Sequence, residues 1–439
     1  MAITKVLGYR YLWIDSLCII QDSEEDWTQE AGRMAQVYGN AILNLAACGP
    51  SSDTGCFETR NPLGYIPCRI SSHECSLYVG PNLVPFPNHL PLFTRGWILQ
   101  ERLLSRRNIY FGMGELHWEC FEGIAVETWP RGMCMPDGEE AIGRTLYSVQ
   151  DKVMFGHLLE ATRQLKNSQV YERQAALVWL AEMWNRLISA HSETKLTFLT
   201  DKLASISGIA SAIVQRTSLE YVAGMWMPSL PANLLWLRST LNGNPMARPS
   251  RKGAPSWSWA SIDGGIWART NSDILKQRLK YNSSSLVDTG RFNAEVLGCQ
   301  VKQVEGRPVV LGEIAEAKLH INGILRPIGE WVVKDDARRG KCGSGTCTAA
   351  HAIFSELEAP VDFFPDVEIG KDASLFFLTV FRDTLEGWLE EVGLVLTPHL
   401  DGFVRVGYMR IRHPDDEQEQ LPTADLCWGG GHTGAIFIY

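Results

Sequence analysis

The sequence predicts an α/β domain over residues 1–130, a helical region over 140–220 and a β-rich region over 221–439. Three observations carry that division. An unbroken apolar run at Tyr11–Ile14, a helix-start signal at Ser23 and a second apolar run at Ala41–Ala47 follow one another within forty residues, as strand, helix and strand do in α/β folds. Two apolar stripes of helical period lie between Ala175 and Gln215. From Met225 onward the texture becomes short alternating runs broken by turn residues.

Taken in order, Tyr11–Ile14 suits a strand buried on both faces of a parallel sheet. Asp15 then falls at its carboxyl end, where open α/β sheets place ligands. Ser23 and Asp26 have capping-box spacing, and Glu24, Glu25 and Asp26 oppose the helix dipole in its first turn. Trp27, Ala31, Met34 and Val37 or Tyr38 make the apolar face of that helix. Gly49–Pro91 is rich in Pro, Gly and Ser and reads as a long loop with short strand-like pieces such as Cys75–Val79. Trp97–Leu104 begins a helix, and Asn108–Phe111 with Leu116–Cys120 reads as a hairpin around Gly112 and Gly114. Met133–Gly138 reads as a linker. Leu177, Leu180, Trp184, Leu187 and Ile188 form one helical stripe. Asp201 is placed to cap a second helix, Lys202–Gln215, with Leu203, Ile206, Ile209, Ala210 and Ile213 inward. Ser256–Ser261 alternates, which predicts a strand with Trp257 and Trp259 on one face. Further strands are expected at Arg291–Val304, Glu313–Leu325, Ala373–Phe381, Gly387–Thr397 and Phe403–Ile411, and Asp415–Glu419 reads as a solvated loop.

Composition narrows the function classes. Apolar content of 45% and charged content of 21% over 439 residues are those of a globular protein of two or three domains. A net charge of -9 argues against general affinity for nucleic acid or anionic membranes. No stretch approaches the ~20 apolar residues of a membrane span, and MAITKVLGYRYLW is too short for a secretory signal. The expectation is a cytoplasmic protein whose 11 cysteines are mostly reduced and buried.

YLWIDSLCIIQDSEEDW, followed by EAGRMAQVYGNA, resembles the second block of the fungal heterokaryon incompatibility (HET) domain. RGWILQERLLSRRNIYFGMGELHWEC resembles its last block. LTDKLASISGIAS, YVAGMW and APSWSWASIDG resemble the region that follows the domain in large HET proteins. The family's first block has no counterpart, so the expectation is an N-terminally incomplete HET domain with an unpaired strand edge that favours self-association or a protein partner. The resemblance implies nonself recognition and programmed cell death in filamentous fungi. It also implies a distant relationship to the TIR domain, hence a TIR/flavodoxin-like fold.

Through that relationship Trp97-Ile98-Leu99-Gln100-Glu101 has Trp and Glu spaced much as in the TIR motif, whose glutamate cleaves the nicotinamide–ribose bond of NAD. The candidate site is therefore Glu101 and Asp15 as catalytic residues, with Trp97 at the ligand. One carboxylate that stabilises an oxocarbenium-like state, or holds ribose hydroxyls, would suffice. The competing reading pairs Glu101 with Arg95, Arg102, Arg106 or Arg107 as a structural carboxylate. NAD would be a substrate, and no bound cofactor is expected. His73 with Cys68 and Cys75, and Cys342, Cys347 and His351, lack a common zinc spacing, so no metal site is expected. His117 reads as a strand residue, and Gly429–Gly431 is not followed by the Lys-Ser/Thr of a phosphate loop. The functional readings are a HET cell-death effector, a TIR-like NAD glycohydrolase, and an inactive or regulatory remnant.

Overall fold

A computed structural model describes residues 1–51, 53–57, 59, 68–71, 76–79, 90–111, 114–127, 130–132, 151–164, 170–239, 253–268, 292–303, 314–328, 331–334, 339–342, 345–348, 351–354, 361–370, 372–385, 388–414 and 432–439. The Met133–Gly138, Asp415–Glu419 and Gly429–Gly431 readings lie outside these. The chain divides into two compact units, residues 1–157 and 158–439. Helices and sheets are mixed, with a helical middle and a β-rich C-terminal part.

In the first unit, α1 (Ala2–Val6) and α2 (Asp15–Cys18) are short, and α3 (Glu24–Asn40) is the long helix. Ser23 caps α3 as its spacing predicts: the Ser23 Oγ accepts from the Asp26 N–H at 3.2 Å. Ala31 and Met34 are buried on its inner face. The chain continues through β1 (Asn44–Ala47), the hairpin β2 (Cys68–Ser71) and β3 (Ser76–Val79), α4 (Ile98–Leu104), β4 (Arg107–Phe111), β5 (His117–Cys120), β6 (Ile124–Val126) and the start of α5 (Asp151–Gln164). The main sheet has the order β1-β4-β5-β6. β1 runs parallel to β4, with Leu45 opposite Ile109, and β4, β5 and β6 form an antiparallel meander. The predicted hairpin is thus present, with His117 buried in β5.

The strand predicted at Tyr11–Ile14 does not form. Ile14 is extended (φ -136°, ψ 124°), but it precedes α2 as its N-cap, and Asp15 opens that helix instead of ending a strand. The Asp15 carboxylate takes the Ser16 N–H at 2.8 Å, a local bond that diverts the backbone from a ladder. Tyr11 is 86% exposed, while Trp13 stands edge-on to Tyr38 at 5.7 Å. Hydrophobic runs of this length do not separate a ladder strand from an extended segment packing one side chain at a time.

In the second unit, α6 (Val170–Ser192) and α7 (Ala204–Thr217) bury the predicted stripes. Leu180, Trp184, Leu187 and Ile188 of the one, and Leu203, Ile206, Ile209, Ala210 and Ile213 at and along the other, are all buried. Asp201 does not cap α7. It lies in a 3-10 turn over Leu199–Lys202, and Leu203 takes the cap position without a side-chain bond. The second correction is Ser256–Ser261, which is a turn and a 3-10 segment, not a strand. Its serines bond locally: Ser258 Oγ accepts from the Ala260 N–H at 3.1 Å, and Ser261 Oγ donates to the Ser256 carbonyl at 3.2 Å. Trp257 and Trp259 are nevertheless fully buried.

These rings gather around one glycine. The strands β7 (Tyr221–Val222) and β8 (Met225–Trp226) join through Ala223 and Gly224, both at positive φ, the conformation that tight hairpins require. The Gly224 carbonyl accepts from the indole N–H of Trp184 at 2.8 Å and of Trp259 at 3.0 Å. A Cβ at Gly224 would stand 2.5 Å from Trp259 Nε1, so only glycine fits. Beside this cluster the His191 Nε2 and Ser205 Oγ lie 2.7 Å apart, and the Lys202 ammonium donates to the Ile262 carbonyl at 2.7 Å. Burial, assisted by Lys202, pushes the His191 imidazole down to about 3, so it folds neutral. The unfolded chain then binds more protons between pH 6.5 and 3, and stability falls as pH drops through that window. We expect His191→Gln to lose about 2–3 kcal/mol less than the parent between pH 7 and 4.5, read from urea unfolding.

The remaining strands are β9 (Trp236–Arg238), β10 (Ile266–Ala268), β11 (Ala294–Gln303), β12 (Ile314–Ile328), β13 (Trp331–Lys334), β14 (Arg339–Cys342), β15 (Gly345–Thr348), β16 (His351–Phe354), β17 (Val361–Pro365), β18 (Leu375–Leu385), β19 (Trp388–His399), β20 (Gly402–Pro414) and β21 (His432–Ile438). The five long strands expected from alternation are β11, β12, β18, β19 and β20. Their pairings close on themselves: β12 bonds β18, β18 bonds β19, β19 bonds β20, and β21 bridges β20 back to β12. β11 and β17 stand outside this ring, β11 pairing with β12 and β17 with β20. Phe363, Phe377, Val395, Met409 and Ile411 fill part of the resulting core.

Candidate functional site

α4 carries the predicted site. Trp97 is its N-cap and Glu101 sits in its first turn, while Leu99, Leu103 and Leu104 bury the opposite face. α3 packs against it: the rings of Trp27 and Trp97 meet edge-on at 6.2 Å, and Gln100 Nε2 lies 4.0 Å from Met34 Sδ. Further along α3, Tyr38 lies close enough to Glu101 for each to influence the other's acidity. Asp15 approaches from α2, and its carboxylate stands 3.7 Å from the Arg95 guanidinium.

The three predicted residues are therefore neighbours. Asp15 and Glu101 share one electrostatic environment with Arg95, and Trp97 is four residues before Glu101 on the same turn. Burial pushes the Glu101 carboxyl up. Arg95 and the Tyr38 hydroxyl oppose that shift, and the Asp15 charge adds to it. Tyr38 itself is pushed up, by burial first and then by Glu101 and Asp15. The Asp15–Arg95 pair is about half exposed on both sides. Such a pair contributes only about 0–1 kcal/mol, so either partner is available to a ligand at little cost. Chemically the arrangement offers a desolvated carboxyl that can give or take a proton, a second carboxylate, and one displaceable cation.

Arg102, one of the alternative partners for Glu101, is committed elsewhere. It is fully buried and grips Glu119 of β5 through Nε at 3.0 Å to both carboxylate oxygens and Nη2 at 2.5 Å to Oε1. Asn108 Nδ2 at 3.0 Å and the Tyr110 hydroxyl at 2.6 Å also donate to Glu119. Burial raises the Glu119 carboxyl, but Arg102 and these hydrogen bonds overcome it and hold the group ionised. Lys152 donates to the Arg102 carbonyl at 2.5 Å and to that of Ser105, which satisfies the carboxyl end of α4. Sequence reasoning did not find this network. Its signal was a charge at Arg102 directly before the apolar Leu103 and Leu104, and a carboxylate at Glu119 facing Asn108 across the ladder. Tyr38 was read only as core; it also lies in the electrostatic surroundings of Glu101.

An open groove of about 800 Å³ along Trp118, Glu122, Glu127 and Arg131 is lined by none of the three predicted residues. Among the described residues no group of three or more His, Cys, Asp or Glu side chains is placed to hold a metal. His73 and Cys75 lie outside those residues. Of Cys18, Cys48, Cys56, Cys120 and Cys299, only Cys48 is buried, fewer than the composition suggested, and Cys18 is exposed at the end of α2. No described helix is long and apolar enough to cross a membrane.

Residues 1–101 match the family described as heterokaryon incompatibility protein (HET). The similarity to the HET domain is confined to this N-terminal segment. The match contains Asp15, Tyr38, Arg95, Trp97 and Glu101, so the whole acid cluster lies within the HET segment, and Glu101 is the last residue matched. No curated protein and no solved structure matches the chain.

Proposed function

We propose that this protein acts in nonself recognition in a filamentous fungus, with the HET segment as the cytoplasmic effector that triggers programmed cell death. The observation that carries this reading is the coincidence of the family match with the clustered Asp15, Arg95, Tyr38 and Glu101. The family match over residues 1–101 supports the process, and the cluster supplies groups through which the segment would act. The helical and β-rich remainder restrains the effector or engages a protein partner. Val6, Tyr11, Leu17, Ile20 and Ile42 are exposed and support a partner or a second copy on this segment. Induced expression of the full chain in a filamentous fungus tests the reading: growth arrest supports it, and unaffected growth at high expression favours an inactive or regulatory remnant.

A second reading, favoured by the desolvated Glu101 carboxyl, is a TIR-like hydrolysis of the nicotinamide–ribose bond of NAD. Glu101 would act at the ribose, Asp15 would sit beside it, and Trp97 would contact the ligand. The purified full chain incubated with NAD tests this directly, because nicotinamide release supports the enzyme and its absence favours an interaction surface.

A further inference from the structure

We propose that the C-terminal sheet carries a binding site for a small carboxylate anion, held by Arg382 with Arg326 beside Glu391. The inference concerns the second unit and stands apart from the effector reading of the first.

A bulge builds the site. Along β18 the register against β19 runs Phe377–Val395, Leu378–Leu394 and Thr379–Gly393, then skips Val380 and resumes at Phe381–Val392 and Arg382–Glu391. Side chains alternate along a strand, so without the extra residue Arg382 would point away from the face that carries Phe377 and Thr379. The bulge turns it onto that face, directly opposite Glu391. The carbonyl of the skipped residue, Val380, accepts from the Asn293 N–H at 3.0 Å. Arg326 of β12, opposite Phe377, reaches the same point from the next strand.

Three donors then converge on one carboxylate oxygen. Glu391 Oε1 accepts from Arg326 Nη1 at 2.6 Å, from Arg382 Nη2 at 3.1 Å and from the Thr379 hydroxyl. Arg326, Thr379 and Glu391 are buried, while the Arg382 side chain is 24% exposed and opens the cluster to solvent. Glu391 is the one acid that either guanidinium meets among the described residues. Burial raises the Glu391 carboxyl, but Arg326, Arg382 and the Thr379 hydroxyl overcome it and hold the group ionised. Two cations therefore share one anion, and the cluster holds a surplus positive charge. The Nε of Arg382 is buried and bonds nothing. A guanidinium grips a carboxylate best through two parallel N–H groups, and Arg382 engages Glu391 through Nη2 alone.

The surplus sets the class of ligand. A cation largely withdrawn from water is costly until an anion compensates it. A monoanion brings the cluster to neutrality, whereas a phosphate dianion would leave it negative beside Glu391. A planar carboxylate also matches the donor fork of Arg382, which a point charge such as chloride does not.

The test is thermal melting of the full chain in sodium acetate against sodium chloride at equal ionic strength. With acetate at about ten times its dissociation constant, the melting temperature of the second unit should rise by about 3–6 °C. The Nε–H resonance of Arg382, assigned by its loss in Arg382→Gln, should shift as acetate is added. Arg382→Gln leaves Arg326 and Thr379 on Glu391, so it should melt close to the parent in chloride and show no rise in acetate. Arg382→Lys keeps the charge without the fork and should show a smaller rise than the parent. A parent indifferent to acetate, or an Arg382→Gln variant that rises as the parent does, would overturn the inference. So would a large loss of stability in Arg382→Gln in chloride, which would make Arg382 a structural side chain. A rise in phosphate equal to that in acetate would overturn the choice of a monoanion.

Discussion

Glu119→Gln should destabilise the first unit by about 3–5 kcal/mol, among the largest effects of any single substitution in this chain. The reason is the orphaned partner rather than the lost bond. Arg102 is completely buried, and three of its donor contacts end on the Glu119 carboxylate. The neutral amide removes the charge that this guanidinium grips most closely, and it cannot accept from Asn108 and Tyr110 with the strength of a carboxylate. Because Arg102 sits on α4 and Glu119 on β5, the damage should reach the helix that carries Glu101. Amide hydrogen exchange across residues 98–120 measures it. Protection close to the parent's would mean that the pair carries little of the unit's stability. The double change Arg102→Met with Glu119→Leu should cost less than either single change, since neither member of the pair is then left without the other.

Arg405→Met should have a comparable effect, about 3–5 kcal/mol, in the second unit. Arg405 on β20 donates through Nε to Asp366 at 2.7 Å, and to the carbonyls of Leu234 at 2.5 Å and Trp236 at 2.6 Å. Its guanidinium also lies 3.4 Å from the centre of the Trp236 ring. Methionine fills much of the volume but strands the buried Asp366 carboxylate and two carbonyls. Lysine should rescue little, because one ammonium cannot reproduce three divergent donors. Urea unfolding followed by hydrogen exchange in residues 361–411 separates this loss from events in the first unit, which need not unfold together with it.

How much of this was legible from sequence differs between the parts for physical reasons. Alternation located β11, β12, β18, β19 and β20, and period 3.6 located the α6 and α7 stripes, because those patterns record burial directly. The Ser23 cap was legible because a cap is a local bond between residues three apart. Tyr11–Ile14 and Ser256–Ser261 were misread because neighbouring polar side chains, Asp15 in one case and serines in the other, compete with a ladder for the backbone. Trp97 and Glu101 were named through family resemblance, and Asp15 from the end of a strand that does not form; Asp15 instead opens α2, where it faces Arg95. Tyr38, Arg95 and the Arg102–Glu119 pair complete the surroundings, and those contacts span separations no local pattern encodes.

The measurement closest to the central proposal compares fungal cells expressing the full chain with cells expressing Glu101→Gln at equal level, together with the melting temperatures of the two purified proteins. Glutamine keeps the shape of the side chain and removes the acid, so it separates chemistry from folding. The proposal predicts that the parent arrests growth, that Glu101→Gln abolishes arrest, and that both proteins melt at nearly the same temperature. A glutamine variant that still arrests growth would contradict it and leave Glu101 as a structural side chain on α4.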